Sequence, residues 1–134
     1  MKKIDLAYVA GIIDGEGCIG LYKSKKSSYY FIQVAVHMTN EWMITWLSNN
    51  FSGSKNVYTH YRKRANCKPE WAWNITGKKA LEFLELIYPY LKLKKAEAEI
   101  AINFQRRKPF RKSLTNGQAA IAEAQRILIS NLKK

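Results

Sequence analysis

The stretch of sequence that decides the fold is residues 6–17, which read LAYVAGIIDGEG. Its apolar spacing predicts a short helix over Asp5–Asp14, with the first of these residues as N-cap because aspartate is favoured at that position. Small residues recur at every fourth position, at Ala7, Gly11 and Gly15, so one face of the helix carries almost no side chains. A glycine costs a helix about 1 kcal/mol relative to alanine. The expected compensation is close packing of a helix from a second copy of the chain against this face.

The pattern downstream of this helix predicts two β-hairpins and further helices. The predicted fold class is α+β in the order αββαββα, as one domain over residues 1–134 with a helical tail from about residue 113. Four antiparallel strands backed by helices on one face would form a concave saddle with its other face open. The predicted elements are strands at Cys18–Lys26 and Tyr29–Met38 joined by a turn at 26–28, a helix at Asn40–Phe51 capped by Thr39 or Asn40, strands at Asn56–Arg64 and Glu70–Thr76, and helices at Gly77–Tyr88, Lys92–Arg107 and about Asn116–Leu132.

The charge of the chain favours a polyanionic partner. The 23 lysines and arginines outnumber 10 acids, which makes the net charge +13. No acid occurs from Gly17 to Asn40 or from Trp42 to Pro69, although basic and aromatic residues recur in both stretches. Such stretches favour a surface that binds phosphates. A strand of nine residues spans roughly 30 Å, near one turn of duplex DNA, so the expected partner is double-stranded DNA.

Composition excludes several other classes of protein. Apolar residues make up 47% and charged residues 25% of the chain, as in ordinary globular proteins. No apolar run approaches the roughly 20 residues of a membrane span, and the amino terminus does not read as a signal peptide. Cys18 and Cys67 form no CxxC pair, so no structural zinc site is expected. We expect a soluble protein of a reducing compartment, cytoplasm or organelle matrix, with no membrane partner.

Residues 10–17, AGIIDGEG, resemble the core of the motif that names the LAGLIDADG homing endonucleases, with Glu16 in place of its last acid. The αββαββ order that follows is similar to the fold of this family and covers most of the chain. The resemblance implies two such helices side by side at the centre of a dimer, each delivering one acid to a shared active site. Because the chain contains a single motif, the resemblance implies a homodimer, with Ala7, Gly11 and Gly15 at its interface, on a long, partly palindromic DNA site.

The expected activity is metal-dependent hydrolysis of DNA phosphodiester bonds. This reaction needs a water that is activated at neutral pH and a positive charge for the leaving oxygen, and divalent metals supply both. Hard oxygen ligands suit Mg²⁺, or another divalent cation such as Mn²⁺ or Ca²⁺ at the same site. The expected ligands are the carboxylate of Glu16 and the carbonyl of Gly15. Two kinds of role stay open for Asp14: ligation of the metal, and a supporting or capping role at the end of the helix.

Two further catalytic candidates follow from the resemblance. Residues 91–94, LKLK, resemble a Leu-x-Leu-Lys stretch of the family in which a lysine near the scissile phosphate helps to order the active-site water, and Lys94 takes this role. The family often has a polar residue at the end of the second strand, where this chain has Val36, His37 and Met38. Alternation puts His37 on the outward face, where it could orient a water. With Met38 at that position, the polar role would be empty.

Alternation also selects the outward strand positions that would contact DNA. Arginine pairs bidentately with guanine, Gln and Asn pair with adenine, and lysine more often holds phosphates. The candidates are Tyr22, Ser24, Lys26, Tyr30, Gln33, Ala35, Tyr58, His60, Arg62, Arg64, Ala72 and Asn74.

The function predicted from the sequence is that of a site-specific homing endonuclease, which makes a staggered double-strand break as mobile introns require. The alternative is a catalytically inactive relative, either a DNA-binding regulator or a maturase bound to its own intron RNA. Glu16 and Lys94 favour the nuclease, because an acid aimed at phosphates weakens binding unless a cation lies between them.

Overall fold

A computed structural model of the chain describes residues 1–25, 29–58, 69–108 and 114–133. The element order and the α+β class are those predicted, and among the described residues no helix is long and apolar enough to cross a membrane. The strands are β1 at Gly17–Lys23, β2 at Tyr30–Met38, β3 at Ser54–Tyr58 and β4 at Glu70–Thr76. The helices are α1 at Lys3–Glu16, α2 at Glu41–Phe51, α3 at Gly77–Ile87, α4 at Lys95–Arg107 and α5 at Asn116–Leu132, with a 3-10 turn at Tyr88–Tyr90 between α3 and α4.

The four strands form one antiparallel sheet in the order β1-β2-β4-β3, so the two hairpins meet through β2 and β4. Successive side chains along a strand point to opposite faces. Ile19, Val34 and Trp73 share one face and are fully buried. The other side of the sheet, which we call the open face, carries Gln33 and Asn74.

The helices cover the buried face of the sheet. Helices α3 and α4 both pack against β2, and α2 packs against β4. Helix α1 buries Leu6, Val9 and Ile13, which the apolar spacing of the motif predicts. Complete burial of such a side chain contributes roughly 1.5–3 kcal/mol, so the motif helix is held firmly by its own chain on this side.

Helix α1 is longer than predicted at both ends. It begins at Lys3 with Lys2 as N-cap, which contributes no side-chain hydrogen bond. The expected N-cap role of Asp5 is therefore wrong. The Asp5 N–H donates to the Lys2 carbonyl at 3.1 Å, which places Asp5 inside the first turn. A negative charge is favourable there because the helix N-terminus is the positive end of the helix dipole.

Several other boundaries differ from the prediction by a few residues. Of the two possible caps of α2, the structure uses Asn40, whose Oδ1 accepts the Met43 N–H at 3.1 Å. Strand β1 ends at Lys23 instead of residue 26, and β3 begins at Ser54 instead of residue 56. Helix α5 has the predicted bounds. The predicted turn at 26–28, the 59–64 part of the third strand and residue 113 lie outside the described residues.

Tyr30 lies on the helix-backed face, so its expected contact with DNA is wrong. It has the same parity along β2 as Ile32 and is 4% exposed. Its hydroxyl donates to Oε2 of Glu123 on α5 at 2.7 Å. Arg126 donates its Nε to the same carboxylate at 3.1 Å. Tyr30 therefore helps to hold α5 against the sheet.

We expect Glu123→Gln to make folding less sensitive to acid. Hydrogen bonds from Arg126 and then Tyr30 lower the pKa of Glu123 to about 2 from its ordinary value of 4.5. A carboxyl group with a lowered pKa in the folded state stabilises the fold above about pH 4.5, and this contribution is lost as the pH falls toward 2. The midpoint of urea unfolding should therefore fall more steeply with acid in the wild type than in Glu123→Gln.

The control for this experiment is Glu99→Gln, which changes an exposed carboxylate of α4. Its midpoint should fall with acid as steeply as that of the wild type. The same slope in Glu123→Gln would contradict the assigned contribution of Glu123.

Candidate active site

The side chain of Asp14 ties the end of α1 to the start of α4. Its carboxylate accepts hydrogen bonds from the backbone N–H groups of Lys92 at 2.8 Å, Leu93 at 3.1 Å and Lys94 at 3.0 Å. These three residues form a turn, and α4 begins only at Lys95. The predicted start at Lys92 is wrong because the carboxylate holds this segment outside the helix. Of the roles open for Asp14, the structure shows the supporting one, because its carboxylate binds the N–H groups of the segment that precedes α4.

Lys94 is the N-cap of α4 and offers no side-chain cap to that helix. Its Nζ donates instead to the backbone carbonyl of Asp14 at 2.7 Å. The carbonyls at a helix C-terminus carry partial negative charge, which favours a cation at this place. The ammonium group of Lys94 therefore lies at the C-terminal end of α1, which we call the foot of α1, where Gly15 and Glu16 follow.

Glu16 is the last residue of α1, and its side chain is exposed, as is Gly15 before it. No group of three or more His, Cys, Asp or Glu side chains that could hold a metal ion occurs within the described ranges. A Mg²⁺ ion can be held by one or two carboxylates, with phosphate and water oxygens completing its coordination. The Glu16 carboxylate and the Gly15 carbonyl are oxygen donors of this hard type and so fit such an ion.

The sheet register brings His37 to the same end of β1. Gly17 pairs with Val36, and the residues just beyond this pair are Glu16 and His37. The His37 side chain is exposed, whereas Met38 pairs with Trp71 and packs against the core. The polar side chain that ends β2 at the open face is therefore the histidine.

Sequence reasoning missed Glu70, an acid on the open face. Its Oε1 lies 3.0 Å from Nδ1 of His37. Glu70 is two residues from Ala72, the direct partner of His37 across β2 and β4, and diagonal neighbours of this kind are within reach of long side chains. The contact between His37 and Glu70 follows from the pairing of β2 with β4. The order of the elements along the chain does not specify that pairing.

Two of the proposed base-reading residues lie in contact with each other. Nε2 of Gln33 donates to Oδ1 of Asn74 at 2.9 Å across β2 and β4. Each amide keeps further donor and acceptor capacity beyond this one bond. The pair is therefore a small polar surface near the centre of the open face.

Ala35 and Ala72 are buried, although both have the parity of the open face. The register places Ala35 between Cys18 and Asn74. Ala72 lies likewise between His37 and a residue of β3. The expected contacts of these two alanines with DNA conflict with their burial, because a buried side chain offers no surface to a ligand.

Tyr22 is 39% exposed and lies on the open face beside Phe31. Its ring folds over Gly20, since a Cβ at that position would collide with the ring and the hydroxyl. Burial, and then the contact of its hydroxyl with Sγ of Cys18, raise the pKa of Tyr22 to about 12. The hydroxyl therefore keeps its proton at neutral pH and adds no negative charge to this surface.

Two other residues expected to contact DNA lie at the ends of strands. Ser24 follows β1 and is half-buried, and Tyr58 is paired with Glu70 at the end of β3. The remaining candidates lie outside the described residues and are Lys26, His60, Arg62 and Arg64.

The small-residue face of α1 is open in the single chain. Ala7, Gly11 and Gly15 are all exposed. A Cβ atom added to either glycine would meet no other atom within 4 Å. The described part of this chain therefore imposes no steric need for glycine at these positions.

A family model of LAGLIDADG endonucleases matches residues 9–108, three quarters of the sequence. The chain belongs to the LAGLIDADG endonuclease family. The match begins inside α1 and ends just after α4, so it includes the foot of α1, the whole sheet and Lys94. A comparison with curated proteins finds no match.

Solved structures of homing endonucleases share the fold. The chain resembles the homing endonuclease I-CvuI in complex with the I-CreI target in the presence of Mg, with the DNA not cleaved, at 22% identity and a TM-score of 0.74, over 97% of this chain and 82% of that chain. It also resembles I-CvuI in complex with its own target in the presence of Ca, at 16% identity and a TM-score of 0.62. That match covers 97% of this chain and 95% of the other. It also resembles the archaeal intron-encoded homing endonuclease I-Vdi141I complexed with DNA, at 11% identity and a TM-score of 0.60, over 95% and 99%.

We expect Asp14→Ala to destabilise the fold by about 1–3 kcal/mol. The substitution leaves three N–H groups before α4 without their acceptor, and it removes a negative charge from the N-terminus of that helix. Glu16→Gln should change the free energy of unfolding by less than about 0.5 kcal/mol, since its side chain is exposed. Urea unfolding of the two variants checks the contrast, and equal losses would refute the structural role of Asp14.

Proposed function

We propose that the chain is a site-specific DNA endonuclease that acts as a homodimer. It makes a metal-dependent, staggered double-strand break in a long, partly palindromic target, as mobile introns require. Membership of the LAGLIDADG endonuclease family supports the reaction class. DNA as the partner is supported by the DNA complexes of I-CvuI and I-Vdi141I.

The observation that carries this proposal is that the exposed carboxylate of Glu16 and the ammonium group of Lys94 lie at the same end of α1. Both lie at the foot of α1, in a chain with a net charge of +13. An acid at this point would repel DNA phosphates unless a cation lay between them. A nuclease has a use for that arrangement, whereas a protein that only binds DNA does not.

The residues at the foot of α1 suit the hydrolysis of a phosphodiester bond. A divalent cation, when bound, supplies an activated water at neutral pH and a positive charge for the leaving oxygen. Glu16 and the Gly15 carbonyl would hold this cation, with Mg²⁺ as the first choice and Mn²⁺ or Ca²⁺ as substitutes. Lys94 would stabilise negative charge at the phosphate, and His37 would orient the water.

A homodimer would complete this site and cover the small-residue face of α1, which carries Ala7, Gly11 and Gly15. Among the described residues, one chain offers a single exposed carboxylate at the foot of α1, that of Glu16, and cleavage of two strands needs two such sites. Close approach of two copies of α1 through Ala7, Gly11 and Gly15 would bring the two Glu16 side chains to one place. A two-fold symmetric dimer also matches a target that is partly palindromic.

We expect Glu16→Gln to reduce cleavage on the order of a hundredfold or more while DNA binding is retained. The reason is that the amide keeps the shape of the side chain but loses the charge that would hold the cation. The measurement is cleavage of a randomised pool of duplexes with Mg²⁺, followed by recovery of bound duplexes. The matched control is Glu82→Gln on the exposed side of α3, which should cleave like the wild type.

Three outcomes would count against parts of this proposal. Undiminished cleavage by Glu16→Gln would remove Glu16 from the active site. Selective retention of one duplex without cleavage by the wild type would favour the inactive DNA-binding regulator. Preferential retention of structured intron RNA, when it is offered in competition with the duplexes, would favour the maturase.

We expect Gly11→Ala to stabilise the monomer and weaken the dimer. The new methyl group has open space in the single chain and raises helix propensity by about 1 kcal/mol, but it would separate two helices packed through this face. The control is Gly117→Ala on α5, another helical glycine with open space, which should leave the dimer unchanged. Sedimentation velocity and urea unfolding measure the two effects, and an unweakened Gly11→Ala dimer would contradict the proposed interface.

A further inference from the structure

An exposed tryptophan stands at the first turn of α2, where nothing in the proposed reaction uses it. Trp42 is 67% exposed, and its ring stacks on Trp46 with centroids 6.3 Å apart and an angle of 13° between the planes. Trp46 in turn meets Tyr8 of α1 edge to face, with centroids 6.3 Å apart. We call these three rings the aromatic ledge. It connects the start of α2 to the motif helix.

The aromatic ledge is anchored in the hydrophobic core. Trp46 contacts Phe51 at the end of α2 with centroids 6.5 Å apart, and Phe51 packs edge to face on Phe83 at 4.9 Å. Phe83 is 2% exposed and belongs to the core cluster. Because each ring packs on the next, the Trp42 ring already has a packing partner in the single chain, and binding through it would lose less conformational entropy than binding through an unpacked side chain.

The aromatic ledge adjoins the small-residue face of α1. Tyr8 is 56% exposed and lies between Ile4, which is 75% exposed, and Gly11 along the helix. Residues spaced by three and four positions share one side of a helix. From Gly11, Tyr8 and Ile4 on α1, the apolar surface continues from Tyr8 through Trp46 to Trp42 on α2. A contiguous exposed apolar patch of this kind marks an interaction site.

The area that a stable dimer needs points to the same surface. Specific protein–protein interfaces bury about 1,200–2,000 Å² in total. Small residues such as Ala7 and Gly11 allow two helices to approach closely, but they contribute little apolar area. The large apolar side chains beside them have to supply the rest, and these are Ile4, Tyr8 and Trp42.

We propose that a second copy of this chain packs on the aromatic ledge, with Trp42 as an anchor of the dimer interface. This inference rests on the proposed homodimer and extends its interface from α1 to α2. DNA is the less suitable occupant, because α2 packs against the helix-backed side of the sheet and not on the open face. Tryptophan is among the residues that most often dominate the binding energy of an interface.

The test is the dimer dissociation constant of the full chain without DNA, measured by sedimentation equilibrium. Trp42→Ala should raise this constant at least about tenfold, and Trp42→Phe should recover part of the loss. The matched control is Leu128→Ala, which removes an apolar side chain of α5 that is 53% exposed and should leave the constant unchanged. Thermal unfolding followed by circular dichroism verifies that each variant is folded.

The outcomes separate this inference from the proposed homodimer. A wild-type dimer that Trp42→Ala does not weaken would overturn the role of the ledge and leave the homodimer standing. A chain that stays monomeric at all concentrations, with and without DNA, would overturn both. Loss of DNA binding in Trp42→Ala with an unchanged dimer constant would assign the ledge to DNA and overturn the inference as well.

Discussion

The carboxylate of Asp14 is the constraint on which the geometry of the site depends. It joins the foot of α1 to a turn that lies 78 to 80 residues further along the chain, by three hydrogen bonds from consecutive N–H groups. Because the turn is held there, α4 starts at Lys95, and the ammonium group of Lys94 reaches the carbonyl of Asp14. The hydrogen bonds that stabilise this end of α1 are made by Asp14, and Glu16, two residues further along, is exposed.

Helix α1 has two apolar sides, one buried and one exposed. Leu6, Val9 and Ile13 bury one side in the core of the same chain. The opposite side is also apolar, with Ile4 and Tyr8 exposed. A helix that is apolar on all sides is normally buried on all sides, so the exposed side of α1 is unusual for the surface of a monomer. Gly11 and Gly15 have open space around them in the single chain, so any requirement for small residues at these two positions comes from a partner outside the described part of the chain.

Alternation along the strands predicted part of the open face correctly. Parity placed Gln33, His37 and Asn74 on that face, and they lie there. Tyr30 was misplaced because it has the parity of the buried residues of β2, and its hydroxyl binds Glu123 instead. Glu70 was missed because its approach to His37 depends on the pairing of β2 with β4.

The sequence by itself determined the order of the elements, the buried side of α1 and the acid at its foot. These features depend on local periodicity and on a motif of a few adjacent residues, which one sequence displays directly. Tertiary structure decided the hydrogen bonds of Asp14 to the turn before α4, the position of Lys94, the contact between His37 and Glu70, and the aromatic ledge of Tyr8, Trp46 and Trp42. Each of these depends on residues that are more than 30 positions apart and meet only when the strands and helices are packed. Their distances come from strand order and helix packing, which local patterns do not specify.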